Sequence, residues 1–235
     1  MTTSAVLTFD QVVVRYGRHV VLKSVSASFG GGEVVAVRGA NGSGKTTLLR
    51  MSVNAFKPNS GHRVGPARSA YVPATISPPS LAAGTWLKAL PRPRRGDPNL
   101  ALEHLGFDGN LAASCRTLSF GNLRKLLLAE ALTSGEQLIV IDEISAGLDD
   151  RGLEGLENMI RELKGQGRAI ILADQQSRPI PGADRTIRIS NGALAEEAAG
   201  QDQMTEMTLR GPQQRVTELV EEAAELGFTP VTPPQ

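Results

Sequence analysis

From Leu7 to Val14, and again from Val25 to Phe29, apolar residues partly alternate with polar ones, the period-two pattern of strands with one buried face. The two segments are expected to pair as a small antiparallel layer. A third strand, Glu33 to Val37, runs into a glycine-rich turn and then a segment, Lys45 to Val53, whose leucines and Met51 suit a helix packed on a sheet. Two continuous apolar runs follow, Leu138 to Ile141 and Ala169 to Ala173, with a helical stretch from Gly152 to Lys164 between them. Unbroken runs of this length are typical of parallel strands buried on both faces. The pattern therefore predicts an α/β fold with a mostly parallel sheet, an antiparallel β layer and, between the halves, a small helical insertion.

That insertion spans about residues 75–130. Pro78, Pro79, Pro91, Pro93 and Pro98 divide its first part into short helices, Thr85 to Leu90 and Asn99 to Leu105. Arg92, Arg94 and Arg95 fall in the linker and read as a solvated loop, with an acidic partner as the alternative. Residues 1–200 are expected to form one domain and 201–235 a helical tail. In the tail, Val216, Leu219, Val220, Ala223 and Leu226 make one apolar stripe on a helix from Arg215 to Leu226.

Composition narrows the setting. With 235 residues, 40% hydrophobic and 21% charged, the chain suits one large folded domain. A formal net charge of +1 gives no field that would hold nucleic acid by electrostatics alone. The single cysteine, Cys115, excludes an internal disulfide, and the first ten residues lack the basic and apolar regions of a secretory signal. No apolar run approaches the roughly 20 residues that cross a bilayer. A cytoplasmic protein is expected, with any membrane span supplied by another chain.

The chemistry lies in the turn and at the end of the Leu138 run. Gly39-Ala40-Asn41-Gly42-Ser43-Gly44-Lys45-Thr46 satisfies G-x-x-x-x-G-K-S/T with a strand before it and a helix after it. Glycines let the backbone turn so that its N–H groups face phosphate oxygens, and the helix start presents its positive end to the same anion. Lys45 is placed to hold the β and γ phosphates, Thr46 to ligate Mg²⁺, and Thr47 continues the phosphate-binding set. Asp142 and Glu143 end the buried strand, where open α/β sheets meet their ligands. Asp142 suits support of Mg²⁺ through water, and Glu143 suits a general base that polarises the water attacking the γ phosphate.

These residues, from Val6 to about Ile189, resemble the ABC ATPase family, the ATP-binding subunits of ABC transporters. Leu118-Ser119-Phe120-Gly121-Asn122 is similar to the signature L-S-G-G-Q and keeps Ser119 and Gly121, the positions expected to meet the γ phosphate. Ala146-Gly147-Leu148-Asp149 looks like the D-loop, with Ile144 where a proline is usual. Tyr16 matches the aromatic residue that stacks on adenine. The resemblance implies ATP and Mg²⁺ as ligands, a second ABC cassette pairing head to tail, as homodimer or heterodimer, and a transmembrane permease as partner. Nucleic acid is not an expected partner. The implied location is the inner face of the cell membrane.

Two departures bear on activity. Where the family carries glutamine after Tyr-Val-Pro, this chain has Ala74, and no glutamine occurs between Gln11 and Gln137. Where the family places a histidine after the second apolar run, the chain reads Asp174-Gln175-Gln176, leaving Gln175 as the residue able to donate to the γ phosphate. Slow hydrolysis is therefore expected. The short insertion and lack of a regulatory domain lean toward an exporter. Two alternatives stay open: a degenerate cassette that pairs with an intact one, and a soluble ABC ATPase acting on nucleic acid or ribosomes.

Overall fold

A computed structural model describes residues 4–89, 95–174, 180 and 182–197. The expected tail helix, Arg215 to Leu226, and the candidate residue Gln175 lie outside the described residues.

Two long strands open the chain, β1 (Ala5–Tyr16) and β2 (His19–Gly30), paired antiparallel. They are longer than their alternating cores because bulges, as between Phe9 and Val12, reset the register and let pairing continue. A strand that the pattern did not predict, β4 (Ser60–Val64), pairs with the other edge of β1 to give the order β2-β1-β4. The second sheet has the order β5-β6-β7-β3-β8-β9, from β5 (Ala70–Val72), β6 (Leu138–Ile141), β7 (Ala169–Ala173), β3 (Val34–Arg38), β8 (Arg185–Ser190) and β9 (Ala193–Glu197). Strands β5, β6, β7, β3 and β8 run parallel; β9 returns antiparallel at the edge.

The apolar runs are buried on both faces. Val34, Ala36, Ile139, Ile141, Ile170 and Leu172 face a core shared with the helical insertion. Their neighbours Val35, Val37, Leu138, Val140, Ile171 and Ala173 face a second core with β1, β2 and helix α1 (Lys45–Ser52). Fully burying one such aliphatic side chain stabilises the fold by roughly 1.5–3 kcal/mol. The layer order is thus small antiparallel sheet, large parallel sheet, helices.

The insertion contains α2 (Ala83–Ala89), α3 (Pro98–His104) and α4 (Phe120–Leu132). Helix α3 starts one residue before the expected Asn99 because Asp97 caps it, accepting from the Asn99 amide at 2.8 Å, with Pro98 fitted to the first turn. Helix α5 (Asp150–Gly165) then packs close to the end of α3: a Cβ at Gly155 would collide with the His104 carbonyl oxygen. Glycine is required there by the approach of backbone, not by a turn.

Candidate functional site

Strands β3, β6 and β7 are parallel neighbours, so their C-terminal ends, followed by Gly39, Asp142 and Asp174, share one edge of the sheet. Ligands of open α/β sheets gather at such an edge. The loop leaving β3 turns through glycines in the left-handed region, Gly42 at φ +76° and Gly44 at φ +110°, which side-chain-bearing residues rarely adopt. Gly44 is also the N-cap of α1 and brings no capping side chain, so the first amides of the helix stay available to an anion.

Lys45 is nearly buried and curls over its own loop, its Nζ donating to the carbonyls of Gly39 at 2.6 Å and Ala40 at 3.1 Å. Phosphate oxygens make stronger, charge-assisted acceptors than these carbonyls and could replace them. Ser43 Oγ is buried with no hydrogen-bond partner among the described residues, at a cost of about 1–3 kcal/mol that a phosphate oxygen would relieve. Asn41 is exposed at the loop tip, and Thr47 is half-buried in α1.

Thr46 Oγ1 donates to Asp142 Oδ2 at 2.8 Å, joining the start of α1 to the end of β6. Burial pushes the Asp142 carboxyl above the ordinary range; the Thr46 hydroxyl opposes that shift and the neighbouring Glu143 carboxylate adds to it. Among the described residues no group of three or more His, Cys, Asp or Glu could hold a metal ion. A hydroxyl beside one buried carboxylate instead fits Mg²⁺, which takes few protein oxygens and fills its remaining positions with phosphate and water.

Glu143 sits in the left-handed region at φ +55°, a conformation costing about 1–3 kcal/mol for a residue with a side chain. Its backbone is held by Arg124, which the sequence reading missed. This arginine of α4 is fully buried, and its guanidinium donates to the carbonyls of Pro73, Asp142 and Glu143, the last at 2.9 Å. Burial pushes its pKa down to about 10, with the Asp142 and Glu143 charges opposing, so it stays protonated at neutral pH. Ala74 follows Pro73 and has only a methyl group to offer.

Tyr16 closes β1 with its ring about half exposed, 6.4 Å from the ring of Phe56 and tilted by 58°. Phe56, also unforeseen, supports the ring from the segment after α1. Ser119 N-caps α4, accepting from the Asn122 amide at 3.2 Å, while the residue remains exposed. Gly121 lies against the D-loop: a Cβ there would come 2.8 Å from the Gly147 carbonyl oxygen. Phe120 lies over Gly147 with half its surface exposed. Lys125 Nζ, 3.3 Å from Asp149 Oδ1, ties α4 to the residue that caps α5. The Gly152 amide and then Lys125 hold the Asp149 carboxyl below its ordinary value.

The edge of the sheet thus joins Lys45, Thr46, Asp142 and Glu143 into one constellation, while Ser119 and Gly121 sit beside the D-loop of the same chain. No helix among the described residues is long and apolar enough to cross a membrane.

A family model described as "ABC transporter" matches residues 22–146. The zinc import ATP-binding protein ZnuC 2 of Aliivibrio fischeri is 33% identical over 198 residues, 81% of each chain. ZnuC of Paracoccus denitrificans is 35% identical over 175 residues, 72% of this chain and 69% of that protein. The fold is similar to the solved ATP-binding subunit of an ABC transporter, with TM-score 0.72, 21% identity and coverage of 95% of this chain and 100% of the other. It is also similar to the dimeric bacterial ABC transporter cassette MJ0796, with TM-score 0.69, 19% identity and coverage of 81% and 97%.

Proposed function

This chain belongs to the ABC transporter family as an ATP-binding subunit and ATPase, and from that premise we propose that it drives solute movement through a separate transmembrane permease by pairing with a second cassette around ATP. The observation that carries the reading is the 2.8 Å bond between Thr46 and Asp142 beside the Lys45 loop, which assembles a phosphate cradle and a Mg²⁺ position in one place.

In this reading the amides from Gly42 to Thr46 and the Lys45 ammonium bind the β and γ phosphates, and Tyr16 stacks on the adenine with Phe56 behind it. Mg²⁺, held by Thr46 and through water by Asp142, would neutralise charge on the phosphates. Glu143 accepts the proton of the attacking water as the bond from the γ phosphorus to the bridging oxygen breaks. Ser119 and Gly121 of the second cassette close the other side of the nucleotide. That arrangement is supported by their position at the start of α4, where Ser119 is exposed and Gly121 half-buried, and by the dimeric form of the related cassette.

Direction is best read as import. The short insertion had pointed to export, but the similar ATP-binding proteins from A. fischeri and P. denitrificans are named for zinc import. We take a metal cation as the class of cargo on that ground, with the cargo path in the permease. Hydrolysis is expected to be slow because Ala74 cannot orient water, and loss of one preorganised donor typically costs about 10²–10³ in rate. The same substitution favours, as a second reading, pairing with an unlike cassette that carries an intact site.

Two measurements test the proposal. Glu143→Gln protein with MgATP should elute from a sizing column at twice the monomer mass, and pull-down from membranes should recover a multi-span protein. A monomer under saturating ATP, with no membrane protein recovered, contradicts it.

A further inference from the structure

We infer that Arg124 is a positioning residue for Glu143: its guanidinium fixes the backbone of the carboxylate loop in the conformation that presents Glu143 to the nucleotide. The inference rests on the reading of Glu143 as general base.

Arg124 is fully exposed to the cost of burying a charge. Its side chain is 0% accessible and its pKa is driven down to about 10 by loss of solvent. An apolar residue of similar volume would fill the same space in the helical core with less penalty. What an apolar residue could not do is donate to three carbonyls at once. Nη1 takes the Pro73 oxygen; Nη2 takes those of Asp142 and Glu143.

Two consecutive carbonyls turned toward one nitrogen mark a sharp bend, and the bend coincides with the strained φ of +55° at Glu143. Such strain persists only where the surroundings over-determine it. Four bonds meet this need: the Asp142 amide bonds Val72, the Ile144 amide bonds Ala173, and the Glu143 carbonyl between them accepts from Arg124 and, at 3.1 Å, from the Ala146 amide. Arg124 is the side chain among these partners, and its second bond, to the Asp142 carbonyl, fixes the peptide that sets the φ of Glu143. A rotation of the peptide before Glu143, which sets its φ, would relieve the strain, and would swing the Asp142 carbonyl off Arg124.

The other arm of the guanidinium reaches the loop after β5, where Ala74 stands in place of the expected glutamine. With that water-orienting side chain gone, the placement of Glu143 carries more of the task. A displacement of about 1 Å in a reacting group can cost on the order of 10²-fold in rate.

The test uses the full chain. Arg124→Lys keeps the positive charge but lacks a fork able to span Pro73 and Glu143. Its dissociation constant for MgATP, by calorimetry, should stay within about 3-fold of the parent, while kcat falls about 10- to 100-fold with KM little changed. Amide exchange over residues 142–146 should quicken by at least about 10-fold, with β3 and β7 unaltered. In a Glu143→Gln background the same change should produce no further loss of turnover. If Glu143→Gln alone leaves turnover intact, the general-base reading fails, and the exchange result still judges the hold of Arg124 on the loop. Arg124→Gln, neutral and still a donor, guards against a folding defect of the Lys variant and should show the same pattern. Unchanged turnover and unchanged exchange in both variants overturn the inference. So does a parallel fall of affinity, turnover and thermal stability, which marks a purely structural role.

Discussion

Thr46 gives its hydroxyl hydrogen to Asp142 across 2.8 Å, so two residues 96 positions apart form one polar contact at the edge of the parallel sheet. The contact exists because β3 and β6 both border β7 and end on the same side. Its chemistry follows from burial: Asp142 is only 2% accessible and its carboxyl is pushed above the ordinary range.

A pH dependence follows from that shift. A carboxyl whose folded pKa is raised holds its proton more tightly when folded, so it stabilises the fold below its unfolded pKa and loses that contribution as pH rises through the folded value. At neutral pH Asp142 is therefore a cost that the protein without nucleotide carries. Asp142→Asn should raise the melting temperature of that form at pH 7, by about 2–4 °C for each kcal/mol relieved, with the gain shrinking as pH falls toward 4. The same variant should lose the Mg²⁺ dependence of ATP binding. Thermal melts at several pH values, with calorimetry, check both.

The adenine contact is tested separately. Tyr16→Ala should weaken ATP by about 1–3 kcal/mol, or about 5- to 150-fold in Kd, and Tyr16→Trp should retain affinity because any π face serves. Equal loss for GTP and ATP is expected, since stacking discriminates little between purines.

Packing of the insertion gives a stability prediction. Gly155→Ala forces a methyl group into the His104 carbonyl and should cost about 1–3 kcal/mol, read as a fall of several degrees in melting temperature. ATP affinity measured at 25 °C should be unaltered, because Gly155 lies on α5, away from the residues assembled around Lys45.

Legibility in the sequence followed locality. Strands β6 and β7 match the predicted runs residue for residue, since burial on both faces leaves no polar interruption. Strand β4 is Ser-Gly-His-Arg-Val, an edge strand whose residues are half-buried or exposed, and β9, Ala-Leu-Ala-Glu-Glu, is likewise half-buried or exposed with no apolar-polar alternation, so neither carries a strand signal. In β8 only Ile187 and Ile189 are buried, too short an alternation to stand out.

The site divides in the same way. Lys45, Thr46, Asp142 and Glu143 were readable because each motif is contiguous and its flanks declare strand or helix. Arg124 was not, because a basic residue inside a helix ordinarily reads as surface. Its partners are backbone oxygens 18, 19 and 51 residues away, which no side-chain pattern encodes. Phe56 was hidden for a like reason, its relation to Tyr16 arising only when the segment after α1 folds beside the end of β1.

The missing glutamine can be supplied. Ala74→Gln should raise steady-state turnover by about 10-fold or more, with ATP affinity little changed, if the slow step is orientation of water. Adding Glu143→Gln should abolish the gain. A steady-state phosphate-release assay on the three proteins decides it.

The most direct measurement of the whole account is calorimetric titration of ATP with Mg²⁺ into the parent protein and Lys45→Ala. The parent should bind one ATP per chain, and Lys45→Ala should bind at least about 100-fold more weakly while keeping its melting temperature within a few degrees. Equal affinity in the two proteins, or no heat of binding to the folded parent, would contradict a nucleotide site on this loop.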